Sequence, residues 1–413
     1  MLERYGHGGD LLTASEAFGH PADKFLDFSS NMNPLGPPSA VEQIMLTHWR
    51  DIVKYPDPDV RELRSKLSHK YDIPAESILV GNGAAELIDL VVKLLKPSVT
   101  GLCRPSFSEY EEAVHQAGGR IHSIPLQAEH SFILRSEDLI SSYDSCDLLF
   151  LGHPNNPTGQ LIPRQVIEEL VSSGKRVVLD EAFMDFIPDE REHSMIKLAA
   201  VNKDVFVIRS MTKFYSVPGI RLGFIVAHPD WIRKLKAMQV QWSVNYLAQL
   251  IGCAVLDDAD YERKSREWLA VEAPWLANEL TKLGLRVTNS DVNFLLFSFP
   301  EELRLTVKEV QREMGLKGIL IRDASLFEGL HDRYCRVAVR LRADNVQLVS
   351  ELRGMLSDHQ NKLLSGHYAG QEDEPLERVF HDRQVDSEQP ERLENGTGLN
   401  INDMSKRGNL RES

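Results

Sequence analysis

Four short runs of the chain carry no charged or polar side chain: Leu148-Leu149-Phe150-Leu151, Val177-Val178-Leu179, Val205-Phe206-Val207-Ile208 and Phe224-Ile225-Val226. Strands that are apolar throughout, rather than at alternate positions, belong to a sheet covered on both faces by crossover helices. Ser77-Ile78-Leu79-Val80 reads as a further strand, and residues 84–95, apolar at helical spacing, as the helix that follows it. In open α/β sheets ligands bind beyond the C-terminal ends of the strands, so the residues just after these runs are the ones to inspect.

Further along, residues 246–283 read as helical with an interruption near Pro274. A strand at 292–297, a helix near 305–314, strands Ile319-Leu320-Ile321 and Arg336-Val337-Ala338-Val339, and a helix at about 345–356 suggest a smaller α+β domain. The expected division is an N-terminal segment 1–35 that joins the small domain and the site, a large domain 36–284, a small domain 285–364 and a tail 365–413. From Gly366 to Ser413 there are six Lys and Arg against eleven Asp and Glu, a balance of −5, with few large apolar residues. Such a composition does not offset the entropy of ordering, so the tail is expected to be disordered.

Among 413 residues no apolar run is long enough to span a membrane, and the first ten residues lack the apolar core of a secretory signal. The four cysteines are scattered, giving neither a zinc spacing nor a disulfide framework, which fits a cytoplasmic protein. A net charge of −14 without a basic run gives nucleic-acid binding no support.

The strand ends carry chemistry. Gly83-Ala84-Ala85 opens a helix, where small residues let backbone N–H groups approach a phosphate. Ser210, Thr212 and Arg221 add hydroxyl and guanidinium donors for the same anion. Lys213 supplies an amine, Asp180 a carboxylate and Asn156, in Pro154-Asn155-Asn156-Pro157, an amide. Separately each has a plain alternative: a surface lysine, a capping aspartate, an ordinary turn. Together, in this order, they are what a pyridoxal 5'-phosphate pocket needs, namely a Schiff-base lysine, a partner for the pyridine nitrogen and phosphate donors.

Asn82-Gly-Ala-Ala-Glu86, Pro154-Asn-Asn-Pro-Thr-Gly159, Asp180-Glu-Ala-Phe183 and Ser210-Met-Thr-Lys213 with Arg221 resemble the class I/II pyridoxal-phosphate-dependent aminotransferases, near histidinol-phosphate aminotransferase. The resemblance covers about residues 5–360. It implies transferase fold type I: an α/β protein with a large mixed, mostly parallel sheet and a smaller α+β domain. It also implies that Lys213 anchors the cofactor, that Asp180 pairs with the pyridine nitrogen and that Asn156 holds the ring's 3-oxygen. By the same likeness Tyr110 stacks on the ring, and Tyr55 reaches the cofactor phosphate of a neighbouring subunit, implying a homodimer. One departure is Phe183, where many members have a tyrosine whose hydroxyl helps bind the 3-oxygen.

Within that family, His7-Gly8-Gly9, Leu26-Asp-Phe-Ser-Ser-Asn31-Met-Asn33-Pro-Leu-Gly36 and Arg336-Val-Ala-Val-Arg340 resemble the threonine-phosphate decarboxylase branch of cobalamin biosynthesis. The substrate implied is L-threonine O-3-phosphate, a phosphorylated amino acid with two anionic ends. Arginine grips either kind of anion bidentately. By the resemblance Arg336 takes the carboxylate, while Arg322 and His7-Gly8-Gly9 take the phosphate, with Asn31, Asn33 and Asn156 close by. The sequence leaves Arg340 open as the alternative to Arg336. The runner-up activity is amino-acid transamination. A more remote alternative, a non-enzymatic regulator, would need a helix-turn-helix module for which the N-terminus is too short.

Overall fold

The computed structural model describes residues 8–142 and 144–365. The expectations for His7 and for the tail from residue 366 lie outside the described residues.

In chain order the first eight strands are β1 (Leu26–Asp27), β2 (Ile78–Gly81), β3 (Val99–Arg104), β4 (Arg120–Pro125), β5 (Leu148–Gly152), β6 (Arg176–Asp180), β7 (Val205–Ser210) and β8 (Gly223–Val226). Seven of them form one sheet in the order β2-β8-β7-β6-β5-β3-β4. β8 runs antiparallel to both neighbours; the other pairings are parallel. Alternate side chains enter two buried layers, which is why the strands read as continuously apolar. Val178, Phe206, Ile208 and Ile225 pack against the helices Ala84–Leu95, Ser108–Gln116 and Pro229–Met238, whereas Val177, Leu179, Val207 and Phe224 face the opposite layer. β3 and β4 lack the continuous apolar signal. β3 mixes Thr100 and Gly101 into its run, and β4, at the sheet edge, leaves Arg120, Ser123 and Pro125 exposed.

The remaining strands are β9 (Arg286–Val287), β10 (Phe294–Ser298), β11 (Ile319–Leu320), β12 (Arg322–Asp323) and β13 (Tyr334–Ala338). An antiparallel four-stranded sheet has the order β12-β13-β10-β9, and β11 pairs with β1 in parallel. The single strand expected at 319–321 is therefore two. Its first half bonds to β1, which brings residues 26–31 alongside the small sheet, and Arg322 opens the second half opposite Arg336.

The helical stretch 246–283 breaks elsewhere than expected. Two helices, Tyr246–Val255 and Ala259–Lys282, meet at Asp258, whose side chain accepts from the Tyr261 backbone N–H. Pro274 lies inside the second helix, where proline costs ~3 kcal/mol. Burial of Leu269, Leu276 and Leu280 on the same helix outweighs that cost. The last helix is longer than expected, Arg342–Leu364.

Candidate active site

Register brings the chemistry to one edge of the large sheet. Gly223 pairs with both Gly81 and Ser210, and Gly152 pairs with Asp180. Because β8 runs backwards, Arg221, just before its first residue, arrives at the edge that β2, β6 and β7 reach with their last ones. A cavity of about 290 Å³ opens there. Of the sequence candidates, Gly8, Asn31, Ala84, Ala85, Tyr110, Asn156, Asp180, Ser210, Thr212, Lys213, Arg221, Arg322 and Arg336 line it.

One end of the cavity is a cradle for an anion. The helix Ala84–Leu95 is capped by Gly83 at φ +83°, and a Cβ there would lie 2.6 Å from Arg221 Nη2. Only glycine accepts that backbone and that approach. Ser210 Oγ and Thr212 Oγ1 are 2.8 Å apart beside it. Arg221 itself stands at φ +59°, a costly conformation for a residue with a Cβ that functional sites tolerate when their surroundings impose it.

At the other end, Asp180 is buried at the tip of β6. Its Oδ2 accepts from the Tyr110 hydroxyl at 2.7 Å and its Oδ1 from the Ala182 N–H at 3.0 Å. Burial pushes its pKa up to about 6 despite those two hydrogen bonds. Burial likewise pushes the Lys213 amine down to about 8, with help from the Arg336 and Arg221 charges. Tyr110 stacks on Phe150 with ring centroids 4.3 Å apart. Phe183 lines the cavity with its ring edge against Phe294.

The small sheet closes the far side. Arg336 Nη1 donates to Asn156 Oδ1 at 2.5 Å and Nη2 to the Ser29 carbonyl at 2.9 Å. Asn31 Oδ1 is buried without a hydrogen-bond partner. Gly8 packs so closely on Ser29 that a Cβ would lie 2.3 Å from its carbonyl oxygen.

Five candidates stand elsewhere. Arg340 does not line the cavity; it pairs with Asp344 at 2.9 Å and donates to the Asp27 carbonyl. Asn33 is spent behind Lys213: its amide donates to the Phe214 carbonyl and Ser265 Oγ, and its N–H to the Lys213 carbonyl. Gly9 sits one residue outside the lining, its N–H bonded to Ser29 Oγ, and Gly83 lies behind Arg221. Tyr55 is exposed and packs on Trp242 at 4.9 Å, outside the cavity.

Sequence reading missed Ser29, Phe107, Glu109 and Phe327, all of which line the cavity. It also missed Arg209, fully buried next to Ser210 and bonded to Glu181, Glu190 and Asp185 at 3.0, 2.9 and 3.3 Å. A charged residue between the apolar run Val205–Ile208 and Ser210-Met-Thr-Lys213 was the available signal.

The sequence model described as Aminotransferase class I and II matches residues 23–351. The chain belongs to that family. Among its relatives, the threonine-phosphate decarboxylase of Salmonella typhimurium is 36% identical, over 85% of this chain and 96% of that one. The crystal structure of L-threonine-O-3-phosphate decarboxylase from Porphyromonas gingivalis superposes with a TM-score of 0.71 at 27% identity, covering 80% of this chain and 99% of that one. Histidinol-phosphate aminotransferase from Sinorhizobium meliloti, solved in complex with pyridoxal 5'-phosphate, shares the fold at a TM-score of 0.76 and 20% identity, over 84% and 94% of the two chains. The fold is thus the type I arrangement of the aminotransferase family, whose members bind pyridoxal 5'-phosphate.

The residues present fit such a group. The glycine-capped helix and Arg221 offer donors to a phosphate at one end, Asp180 offers a carboxylate at the other, and the Lys213 amine opens into the same cavity.

Proposed function

We propose that the protein decarboxylates L-threonine O-3-phosphate to (R)-1-amino-2-propanol O-2-phosphate in cobalamin biosynthesis, with pyridoxal 5'-phosphate as cofactor. The observation that carries this reading is the pair Arg322 and Arg336, register partners that enter the cavity of Lys213 and Asp180 together. Two buried guanidiniums suit a small substrate with two anionic ends. The two threonine-phosphate decarboxylases among the relatives named above support the choice.

When bound, the cofactor supplies a protonated pyridine ring that accepts the electron pair left on Cα as a bond to it breaks. In this reading the Asp180 carboxylate keeps the pyridine nitrogen protonated, and Tyr110 both orients that carboxylate and stacks on the ring. Gly83, Ala84, Ala85, Ser210, Thr212 and Arg221 hold the phosphate of the cofactor, Asn156 its 3-oxygen, and Lys213 its aldehyde carbon. Arg336 grips the substrate carboxylate and so fixes the direction of the bond from Cα to it. Arg322, Asn31, His7 and Gly8 hold the substrate phosphate. With a pKa near 8, the Lys213 amine is protonated in part near neutral pH and can return a proton to Cα after CO₂ departs.

The same reading makes the protein a cytoplasmic homodimer, divided as the sequence suggested into 1–35, 36–284, 285–364 and the tail. Supporting the dimer, Leu46, Trp49, Ile52, Val53, Tyr55 and Trp242 are exposed near one another on the large domain, and a second copy would bring Tyr55 to its neighbour's cofactor phosphate. All four cysteines are free, and no helix among the described residues is long and apolar enough to cross a membrane.

Incubation of the holoenzyme with L-threonine O-3-phosphate should release CO₂ and yield the amine phosphate by mass, without need of an oxo acid. Product formation that depends on 2-oxoglutarate, at a rate above CO₂ release, would replace this reading with transamination.

A further inference from the structure

Arg322 and Arg336 face one another across β12 and β13, both buried. Opposed positions on antiparallel strands bring Cβ atoms to about 5 Å, where like charges repel. One ring contacts both cations. The Phe327 centroid lies 5.3 Å from Arg322 Cζ and 5.8 Å from Arg336 Cζ, while the Phe294 centroid lies 5.4 Å from Arg336 Cζ. An aromatic face attracts a guanidinium electrostatically, and a rigid phenyl cannot be compressed as a flexible side chain can.

We propose that Phe327 is the spacer that sets the separation of the two guanidiniums, and with it the length of dianion the site accepts. The inference rests on the reading of Arg322 and Arg336 as the two anion grips.

The ring is itself located by the large sheet. Phe327 leaves a tight turn in which Asp323 Oδ1 accepts from the N–H and hydroxyl of Ser325 and the Phe327 N–H donates to the Ala324 carbonyl at 3.1 Å. The next residue, Glu328, pairs with Arg104 Nη2 at 2.9 Å, and Arg104, buried at the end of β3, also holds Glu111 at 2.7 Å. Gly329 at φ +93° lies on Arg104, where a Cβ would come within 3.2 Å of the arginine's own Cβ. The Arg104–Glu328 pair therefore ties the spacer to the sheet that carries Asp180 and Lys213. Glu328 is a positioning residue; it acts on the grips only through the ring.

The test is the length preference of the site rather than its affinity. Straight-chain dicarboxylates from malonate to adipate are titrated into the holoenzyme by calorimetry, for the unaltered protein and for Phe327→Leu, Phe327→Tyr and Glu328→Gln. Carboxylates serve because arginine grips them as it grips phosphate. The unaltered protein should favour one length by about tenfold over its neighbours, the scale of one well-placed charge-assisted contact. Phe327→Leu keeps most of the apolar volume and should flatten that preference to within about threefold, while Phe327→Tyr, which keeps the ring, retains it. Glu328→Gln should blur the preference without moving its optimum. A Phe327→Leu profile that matches the unaltered one overturns the spacer, and so does an unaltered protein with no preferred length. A sharp length optimum in a protein that releases no CO₂ from L-threonine O-3-phosphate would instead sink the proposed function and leave the spacer standing.

Discussion

The Tyr110 hydroxyl donates a 2.7 Å hydrogen bond to Asp180 Oδ2, while the tyrosine ring lies flat against Phe150. The bond joins the helix after β3 to the tip of β6, so the buried Asp180 carboxylate near Lys213 is aimed by a residue seventy positions away in the chain. It does not make the carboxylate comfortable. Burial holds the Asp180 pKa up at about 6 against a reference of 3.8, outweighing the two hydrogen bonds and the Lys213 charge.

That shift has a stability consequence. Because the folded-state pKa lies above the unfolded one, the protonated form's advantage is fully present below about pH 4 and is lost as pH rises through 6. At neutral pH the cofactor-free protein then carries a penalty of about 3 kcal/mol for this carboxylate. Asp180→Asn should therefore melt above the unaltered protein when both are cofactor-free at pH 7.5, with the gap closing toward pH 4. The same variant, loaded with cofactor, should lose most of its turnover. A lower melting temperature for the cofactor-free variant at pH 7.5 would show that the site relieves the buried charge by some other route.

Lys213 shifts in the opposite direction, and kinetics read it. An amine with a pKa of about 8 is half neutral at pH 8, whereas an ordinary lysine would be neutral in roughly 0.3% of molecules. Only the neutral amine attacks an aldehyde. Covalent capture of pyridoxal phosphate by the cofactor-free protein, followed by absorbance, should rise with pH through about 8 and then level off. Arg336→Ala removes one of the repelling charges and should move that midpoint upward, by less than the full shift, since burial is its largest cause. A midpoint near 10 in the unaltered protein would contradict the desolvated amine. Borohydride reduction followed by peptide mapping should find the cofactor on Lys213.

Arg209 makes a third case, in which stability comes first. The guanidinium is fully buried with three carboxylates, Glu181, Asp185 and Glu190, around it and the Tyr71 ring at 5.4 Å. Removing one partner from a buried ionic cluster costs ~3–5 kcal/mol because the remaining charges stay uncompensated. Arg209→Met should lose at least that much in denaturant unfolding, although methionine fills much of the volume. Cofactor affinity should fall with it, since Arg209 adjoins Ser210 and its partner Glu181 adjoins Asp180, both of which would hold the cofactor. Unfolding within 1 kcal/mol of the unaltered protein would mean that the cluster is better hydrated than its burial implies.

How much of this was legible in the sequence follows from where each signal resides. Strands β5 to β8 announced themselves because both faces are covered, and the reactive residues were legible because they follow strand ends in fixed order. β3 and β4 were not: Thr100 and Gly101 interrupt the apolar run of β3, and the edge position of β4 lets polar residues into its pattern. Asn33 read like Asn31, two positions earlier, but the turn between them sends one amide into the cavity wall and the other behind Lys213. Arg336 and Arg340, four residues apart, could be separated only by pairing: Arg336 sits in β13 opposite Arg322, whereas Arg340 lies past the strand and is taken by Asp344. Phe327 matters through contacts between distant elements, which no local pattern encodes, whereas Arg209 left one local sign, a charge in an apolar strand, that names none of its partners.

The N-terminal segment gives a prediction with a single methyl group. Gly8 lies where a Cβ would fall 2.3 Å from the Ser29 carbonyl oxygen, and that oxygen accepts from Arg336 Nη2. Gly8→Ala must displace either the segment or the acceptor. Misplacing a substrate grip by about 1 Å can cost on the order of a hundredfold in rate, so kcat/KM for L-threonine O-3-phosphate should fall by about tenfold or more. The melting temperature should move little, because none of residues 8–13 is fully buried. Unchanged kinetics would show that nothing near Gly8 takes part in the site.

The last prediction separates the two grips. Arg322→Ala should weaken L-threonine O-3-phosphate far more than L-threonine, because only the former carries the phosphate assigned to it. The loss of a charge-assisted contact to a buried anion is about 1.5–3 kcal/mol, or roughly ten- to a hundredfold in kcat/KM. Arg336→Ala should weaken both substrates, since both carry the carboxylate. It also removes the 2.5 Å bond to Asn156 Oδ1, which frees the amide proposed to hold the cofactor's 3-oxygen. The Arg336 variant should therefore change the cofactor's visible absorbance before any substrate is added, and the Arg322 variant should not. With the carboxylate no longer fixed, amino transfer to added 2-oxoglutarate should become detectable as a side reaction of Arg336→Ala. Equal losses on the two substrates for Arg322→Ala would remove the phosphate from that end of the cavity.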